Sequence, residues 1–123
     1  MNVFKSIAIS IGHASRGFIH AIKTERNLRV ECAISIIVIT VGILLNLTMI
    51  EWILIVASIF LVIVCELVNT SLETLADIVN GKHDPRIKIV KDTAAASVFL
   101  ACLVAVITGV IVFGERILSV VKK

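Results

Sequence analysis

The sequence has little charge and almost no proline to interrupt its apolar residues. Charged residues make up 17% of the 123-residue chain, hydrophobic residues make up 59%, and proline occurs once. A soluble domain of this size could not bury so much apolar surface, because its surface is large relative to its volume. The composition therefore excludes an ordinary soluble domain and indicates a membrane protein, with one domain over residues 1–123.

Other familiar signals are also missing. The three cysteines are odd in number and lack metal-ligand spacing, so we interpret them as small buried hydrophobic residues. Basic residues occur throughout residues 1–29 with no compact apolar core between them, so we expect no cleavable signal peptide. No Gly-x-x-x-x-Gly-Lys-Ser/Thr loop is present, which excludes the soluble kinases that use one. Because the basic residues flank apolar segments, they indicate membrane topology, and we expect no nucleic acid partner.

Long uncharged segments are typical of membrane spans. Residues 32–50 and 93–114 contain no charged side chain, and about 18 such residues are enough to cross a bilayer. A third apolar segment, residues 52–65, ends at Glu66. We therefore predict an all-α membrane protein whose three transmembrane helices cover residues 30–48, 52–79 and 92–114.

The segment before the first span has the pattern of an amphipathic helix. Apolar residues recur at spacings of three and four through residues 3–24, while the basic residues lie mostly off that stripe. Such a helix is expected at the membrane surface, with its basic residues toward the lipid headgroups. A charged elbow, residues 25–31, joins it to the first span.

The distribution of basic residues predicts the orientation. The segment before the first span holds five of the 12 Lys and Arg residues, the 80–92 loop holds four, and the 46–51 connection holds none. Since basic residues favour the cytoplasmic side, we expect a multi-pass plasma membrane protein with its N-terminus and the 80–92 loop in the cytoplasm.

Small and turn-forming residues predict how the spans are joined. The very short 46–51 connection makes the first two spans a tight antiparallel pair, with Gly42 as a point of close contact and Trp52 as an interfacial anchor. The pair Asn80-Gly81 is predicted to end the second span, and Pro85 is predicted to prevent the helix from resuming at once.

Four polar residues share one face of the second span. Glu66, Asn69, Glu73 and Asp77 are spaced three or four residues apart and lie within about 80° of one another around a helix. If Trp52 marks the outer boundary, Glu66 is about 21 Å along the helix, inside a hydrocarbon core about 30 Å thick. Glu73 is about 10 Å further on, at the inner water boundary. Ionisable residues at such depths normally face a bundle interior or a wet cavity.

The residues alone leave three interpretations of this stripe open. Contacts between helices of an oligomer would explain Asn69 and Thr70, and a proton- or ion-conducting path would use Glu66 as a relay. In a catalytic interpretation, Glu66 takes the proton of a lipid hydroxyl and Glu73 helps to bind a hard cation that bridges nucleotide phosphates. Glu25, in the elbow at the same membrane level, is a candidate second ligand for that cation.

The order and spacing of these motifs resemble a known family. The stripe reads Glu66-x-x-Asn69-Thr70-x-x-Glu73-x-x-x-Asp77 and is followed by Lys91-Asp92, while the elbow reads Lys23-Thr24-Glu25-Arg26-Asn27-x-Arg29. Over nearly the whole chain this pattern resembles the bacterial integral-membrane diacylglycerol kinases. The elbow, Glu51-Trp52 and Lys88 are similar to the Gram-positive branch of that family, the undecaprenol kinases.

The resemblance implies a fold, an activity and roles for individual residues. It implies a homotrimer with shared active sites, which uses ATP and Mg²⁺ to phosphorylate a membrane lipid alcohol, undecaprenol or alternatively diacylglycerol. Glu66 would accept the proton of the lipid hydroxyl, and Glu25 and Glu73 would bind magnesium and ATP. Further contacts are expected with ATP from His13, Lys82, His83, Asp84, Lys91 and Asp92, with the lipid from Glu66 and Ala95, and in a supporting role from Asn69, Asp77 and Arg29.

The sequence departs from the Gram-negative members at the expected nucleotide contacts. His13 stands where those members have Tyr, Ser6 stands where they have Arg, and Lys82-His83-Asp84 replaces Glu-Tyr-His.

Overall fold

The computed structural model describes residues 2–79 and 84–121. Within these residues it contains four helices and no strand, which confirms the predicted all-α fold: α1 (Val3–Thr24), α2 (Arg26–Leu44), α3 (Met49–Val79) and α4 (Pro85–Val121). The predicted stop signal at Asn80-Gly81 lies outside the described residues.

Three of the helices are long and apolar enough to cross a membrane. They cover Arg26–Leu44, Met49–Val79 and Pro85–Ser119. Large apolar side chains remain exposed along them; Ile36 of α2 and Phe99 of α4, for example, are 66% and 65% exposed. In a bilayer such side chains contact lipid or neighbouring helices, so their exposure carries no cost of hydration. The predicted three-span membrane protein is confirmed.

The ends of α2 and α3 differ from the predicted spans. α2 ends at Leu44, before the predicted residue 48, because Asn46 adopts a φ of 50° and turns the chain. α3 begins at Met49, before the predicted residue 52, because a capping box forms ahead of it. The N–H of Thr48 donates to the Glu51 carboxylate at 2.6 Å, and the N–H of Glu51 donates to Thr48 Oγ1 at 3.4 Å.

Pro85 begins α4, so the prediction that it would delay the helix is wrong. Proline suits the first position of a helix, where an N–H would have no partner in the helix. Asp84 caps the same end by accepting a hydrogen bond from the N–H of Arg86 at 2.9 Å. Residues 85–91, which were predicted as loop, therefore form the first turns of α4, and the helix continues past the predicted residue 114 to Val121.

The elbow between α1 and α2 is a single extended residue. Glu25 has φ −97° and ψ 118° and separates Thr24 from Arg26, so α2 begins before the predicted residue 30. The chain is tightly packed on both sides of this corner, since Ala21 is 4% exposed and Leu28 is fully buried.

The apolar core lies at one end of the bundle, beside the turn at residues 45–48, which we call the turn end. Leu47, Ile55 and Val112 form its buried centre. Gly42 is in close contact here, as predicted, because a Cβ atom on it would lie 2.9 Å from the Trp52 ring. Of all helix pairs, α3 and α4 share the most extensive contact.

A polar link joins α3 and α4 at the turn end. Arg116 Nε donates to Glu51 Oε1 at 2.9 Å, and the second oxygen of Glu51 accepts hydrogen bonds from the backbone and hydroxyl of Thr48. The side chains of Arg116 and Glu51 are only 27% and 17% exposed. The charges of Glu51 and Arg116 are therefore paired with each other.

Candidate active site

Glu66 lies buried in the middle of the apolar helix α3. Its side chain is ionisable, yet the residue is only 2% exposed. Its neighbours along the helix are largely hydrophobic. α3 stays helical from Met49 to Val79, so the predicted polar face is one continuous surface. Ionisable groups inside a membrane span are costly and usually functional. The burial of Glu66 therefore marks the centre of the candidate site.

Two further predicted site residues, the carboxylates of Glu25 and Glu73, lie near Glu66. Glu25 and Glu73 are both close enough to Glu66 for their charges to interact. They come from different elements, the elbow before α2 and the later turns of α3. Carboxylates whose charges interact repel one another, and a bound cation would relieve that repulsion. We call this end of the bundle the carboxylate end.

Asn69 donates a hydrogen bond to one of these carboxylates, and its side-chain oxygen is unpaired among the described residues. Its Nδ2 donates to Glu73 Oε1 at 3.2 Å. Asn69 is 8% exposed, and its buried Oδ1 has no hydrogen-bond partner among the described residues. Buried polar atoms are nearly always paired in folded proteins. The unpaired Oδ1 is therefore available to a ligand.

Glu31 belongs to the site but was not identified from the sequence. It lies on α2, close enough to Glu66 for their charges to interact, and its buried Oε2 has no partner within the described chain. The sequence interpretation placed it in the elbow, but α2 already begins at Arg26, so Glu31 is part of that helix. A carboxylate at the start of a long uncharged segment is the signal that would have found it.

An apolar cavity of about 480 Å³ lies between α2, α3 and α4. Glu31 lines it at the carboxylate end, and Phe113 lines it near the turn end. Val62, also on its wall, is one helical turn before Glu66 on the same face of α3. The cavity has the size of a small-molecule pocket and an almost wholly apolar wall. It therefore suits a hydrocarbon chain whose polar end reaches the carboxylates.

A second polar link joins α3 to α4 beyond Glu73. Lys91 Nζ donates to Asp77 Oδ1 at 2.5 Å, and Asp77 is one helical turn past Glu73. The two side chains are 34% and 67% exposed. The fold thus brings the predicted lysine to the polar face of α3. Asp92 and Ala95, which follow it, lie on the exposed surface of α4.

Two of the other predicted ATP contacts, His13 and Asp84, have local partners in the structure. His13 lies on the exposed surface of α1, where its Nδ1 is 2.9 Å from an Arg16 guanidinium nitrogen. Asp84 is paired with Arg86, whose guanidinium holds the pKa of that carboxyl below its usual value. Lys82 and His83 lie outside the described residues.

The carboxylates fit a magnesium ion that is shared with a nucleotide. Within the described parts of one chain, no three His, Cys, Asp or Glu side chains are close enough to hold a metal ion alone. Magnesium, however, prefers oxygen ligands and commonly takes only one or two carboxylates, with phosphates and water completing its shell. Glu25 and Glu73 would supply two carboxylates to such an ion, and the Asn69 oxygen that is unpaired among the described residues would add a neutral donor.

Comparison with known proteins shows the family of the chain. The sequence model of the prokaryotic diacylglycerol kinases matches residues 12–113. The chain belongs to this family. The kinase is 36% identical to the undecaprenol kinase of Bacillus subtilis, over 85% of each chain.

Other relatives carry a different substrate in their names. The kinase is 35% identical to the diacylglycerol kinase of Haemophilus influenzae, over 85% of this chain and 89% of that one. It is 36% identical to the diacylglycerol kinase of Synechocystis, over 87% of this chain and 62% of that one. The family predicted from the motifs is confirmed, and the protein is a membrane lipid kinase, a phosphotransferase with an alcohol acceptor.

Proposed function

We propose that the kinase transfers the γ-phosphoryl group of ATP to the hydroxyl of undecaprenol at the cytoplasmic face of the plasma membrane. The products are undecaprenyl phosphate and ADP. One observation carries the proposal: Glu66 is buried in α3 beside an apolar cavity, with Glu25 and Glu73 close to it. This placement joins a lipid-binding volume to a cluster of carboxylates suited to a metal–nucleotide complex.

The reaction needs one proton acceptor and careful positioning. The lipid hydroxyl attacks the γ-phosphorus while Glu66 takes the hydroxyl proton, and the bond from that phosphorus to the bridging oxygen breaks to release ADP. Most of the rate enhancement in such transfers comes from holding the reactants in line. The cavity would hold the hydrocarbon chain so that its hydroxyl reaches Glu66.

The nucleotide would bind on the cytoplasmic side of Glu66. Glu25 and Glu73 would hold magnesium together with the phosphates, and Asn69 keeps Glu73 in place through its hydrogen bond. When bound, the cation would neutralise charge that develops on the phosphate oxygens. Lys91, at the end of the same polar face, would exchange Asp77 for a phosphate.

We propose that three copies of the chain share these sites, with the N-terminus in the cytoplasm. The carboxylates of one chain do not surround a metal on their own within the described residues, which supports a site completed by ATP and a neighbouring copy. The concentration of basic residues before the first span and in the 80–92 loop supports the orientation.

The choice of lipid is tested by competition. The kinase in lipid nanodiscs is given labelled ATP with equal amounts of undecaprenol and diacylglycerol, and we expect the label mainly in undecaprenyl phosphate. Undecaprenol is proposed because the Bacillus subtilis relative is named for it and because the elbow motif is similar to that branch. Label mainly in phosphatidic acid would make diacylglycerol the substrate, and label in neither lipid would overturn the proposal.

The role of the carboxylates is tested by Glu73→Gln. We expect this variant to need about tenfold or more magnesium for half-maximal activity, because one charged ligand is lost. Glu115→Gln is the matched control, since Glu115 is an exposed carboxylate near the other end of α4. An unchanged magnesium requirement in Glu73→Gln would remove Glu73 from the metal site.

A further inference from the structure

The side chain of Arg29 makes hydrogen bonds across the corner between α1 and α2. Arg29, in the first turns of α2, donates from Nη1 to the backbone oxygens of Ile22 and Lys23 at 3.0 and 3.1 Å. These oxygens belong to the last turn of α1, where helical carbonyls lack partners within the helix. A guanidinium is a planar, permanently charged donor, and such hydrogen bonds are stronger than neutral ones.

Glu25 lies inside the segment that Arg29 spans. Its N–H donates to Ala21 in α1 at 2.7 Å, and its carbonyl accepts from the N–H of Arg29 at 3.4 Å. Its own side chain makes no capping hydrogen bond to either helix. The Glu25 carboxylate is therefore free to turn to the site, while its backbone is fixed from both directions.

We propose that Arg29 is a positioning residue that holds Glu25 at the metal site by fixing the last turn of α1 to the first turns of α2. The inference rests on the proposed role of Glu25 as a magnesium ligand. Without the Arg29 side chain, the elbow would keep its backbone hydrogen bonds but lose the two that join α2 to the last turn of α1. The Glu25 carboxylate would then spend less time at the distance from Glu73 that a shared cation needs.

A purely electrostatic role for Arg29 makes a different prediction. Removing any nearby positive charge would weaken the binding of an anionic nucleotide. Arg26 offers a matched comparison, because it is exposed, lies in the same turn of α2, and makes no side-chain hydrogen bond among the described residues. A charge effect would weaken binding similarly in Arg26→Gln and Arg29→Gln, whereas a positioning effect would appear in Arg29→Gln alone.

Metal binding is measured directly, apart from catalysis. Mn²⁺ is titrated into the full-length kinase in nanodiscs with a non-hydrolysable ATP analogue, and free Mn²⁺ is followed by electron paramagnetic resonance. We expect Arg29→Gln to raise the Kd for Mn²⁺ about tenfold, as is typical when a group that orients a metal ligand is lost. Arg29→Lys should fall between Arg29→Gln and the unmodified protein, and Arg26→Gln should stay within about twofold of the latter.

Hydrogen exchange tests the structural cause. We expect the amides of the last turn of α1 to exchange faster in Arg29→Gln than in Arg26→Gln, while those of α3 stay unchanged. Equal Mn²⁺ affinities in the two variants, or unchanged exchange at the elbow, would overturn the inference. Glu25→Gln and Glu73→Gln separate this failure from that of the proposed function: if they bind Mn²⁺ normally, the metal site itself is wrong.

Discussion

The two ends of the helix bundle satisfy their polar groups in different ways. At the turn end, Glu51 accepts hydrogen bonds from Arg116 and from the preceding turn, next to a compact apolar core. At the carboxylate end, Glu66 is buried among other carboxylates, and oxygens of Glu31 and Asn69 have no partner in the described chain. The same helices build both ends. At the turn end, Glu51 and Arg116 thus have partners within the chain, whereas the carboxylate end leaves polar oxygens without partners among the described residues.

The two links between α3 and α4 repeat this difference. Arg116 and Glu51 are mostly buried and make several hydrogen bonds. Removing one of them would leave the other charge without its partner, which destabilises the fold. Lys91 and Asp77 make a single, more exposed contact that water can replace at little cost. A residue in a weak link is free to change partner when a substrate binds.

The largest effect is expected from Glu66→Gln. It should lower lipid phosphorylation by at least about 100-fold, because the hydroxyl loses its proton acceptor. It should leave thermal stability unchanged or higher, since a buried charge near other carboxylates is removed. Both properties are measured on the same nanodisc preparation, with Glu115→Gln as the control. Strong destabilisation by Glu66→Gln would mean that the carboxylate end also serves stability, so that the two ends would not differ in this respect.

The second largest effect is expected from Glu51→Ala, at the turn end. Glu51→Ala should lower the midpoint of thermal unfolding by several degrees, because Arg116 is left unpaired in a mostly buried position and α3 loses its cap. Below that temperature, activity should stay near normal, because Glu51 is remote from the carboxylates. Circular dichroism during heating measures the change, with Glu115→Ala as the control. A loss of activity without a loss of stability would contradict this assignment.

A smaller effect is expected from Gly42→Ala. The new Cβ would lie 2.9 Å from the Trp52 ring and 3.0 Å from Leu47 Cδ1, so both side chains must shift. Such overpacking costs about 1–3 kcal/mol. Gly114→Ala is the matched control, because a Cβ there meets nothing within 4 Å. Equal stability of the two variants in chemical denaturation would show that the turn end is packed more loosely than described.

The smallest effect is expected from Asp77→Asn. Because its link to Lys91 is largely exposed, the free energy of unfolding should change by no more than about 1 kcal/mol. The denaturation assay used for Gly42→Ala measures it. A loss as large as that of Glu51→Ala would show that the two α3–α4 links are equivalent, contrary to the difference drawn between the two ends.

Much of the fold follows from local patterns that the sequence displays. Uncharged segments predicted three spans, and three- and four-residue spacing predicted α1. The close contact at Gly42 was predicted because a short connection forces two helices together. Pro85 was misjudged because proline can end one helix or begin the next, and the preceding Asp84, a good cap, is what decides between them.

Helical spacing alone predicted the part of the site that lies along one helix. Glu66, Asn69 and Glu73 share a face of α3, which helical periodicity is sufficient to show. Glu31 was missed because its approach to Glu66 depends on how α2 packs against α3, and local spacing does not encode that packing. The hydrogen bonds of Arg29 across the elbow were beyond sequence reasoning for the same reason.

α3 also fixes the spacing of Glu66 and Glu73 across the membrane boundary. Its 31 residues give a length of about 46 Å, well beyond a hydrocarbon core of about 30 Å. The helix therefore passes from lipid to water without interruption. The spacing between Glu66 and Glu73 does not depend on the thickness of the bilayer. A thicker or thinner membrane would change how deeply both carboxylates lie below the headgroups, without altering their spacing along the helix.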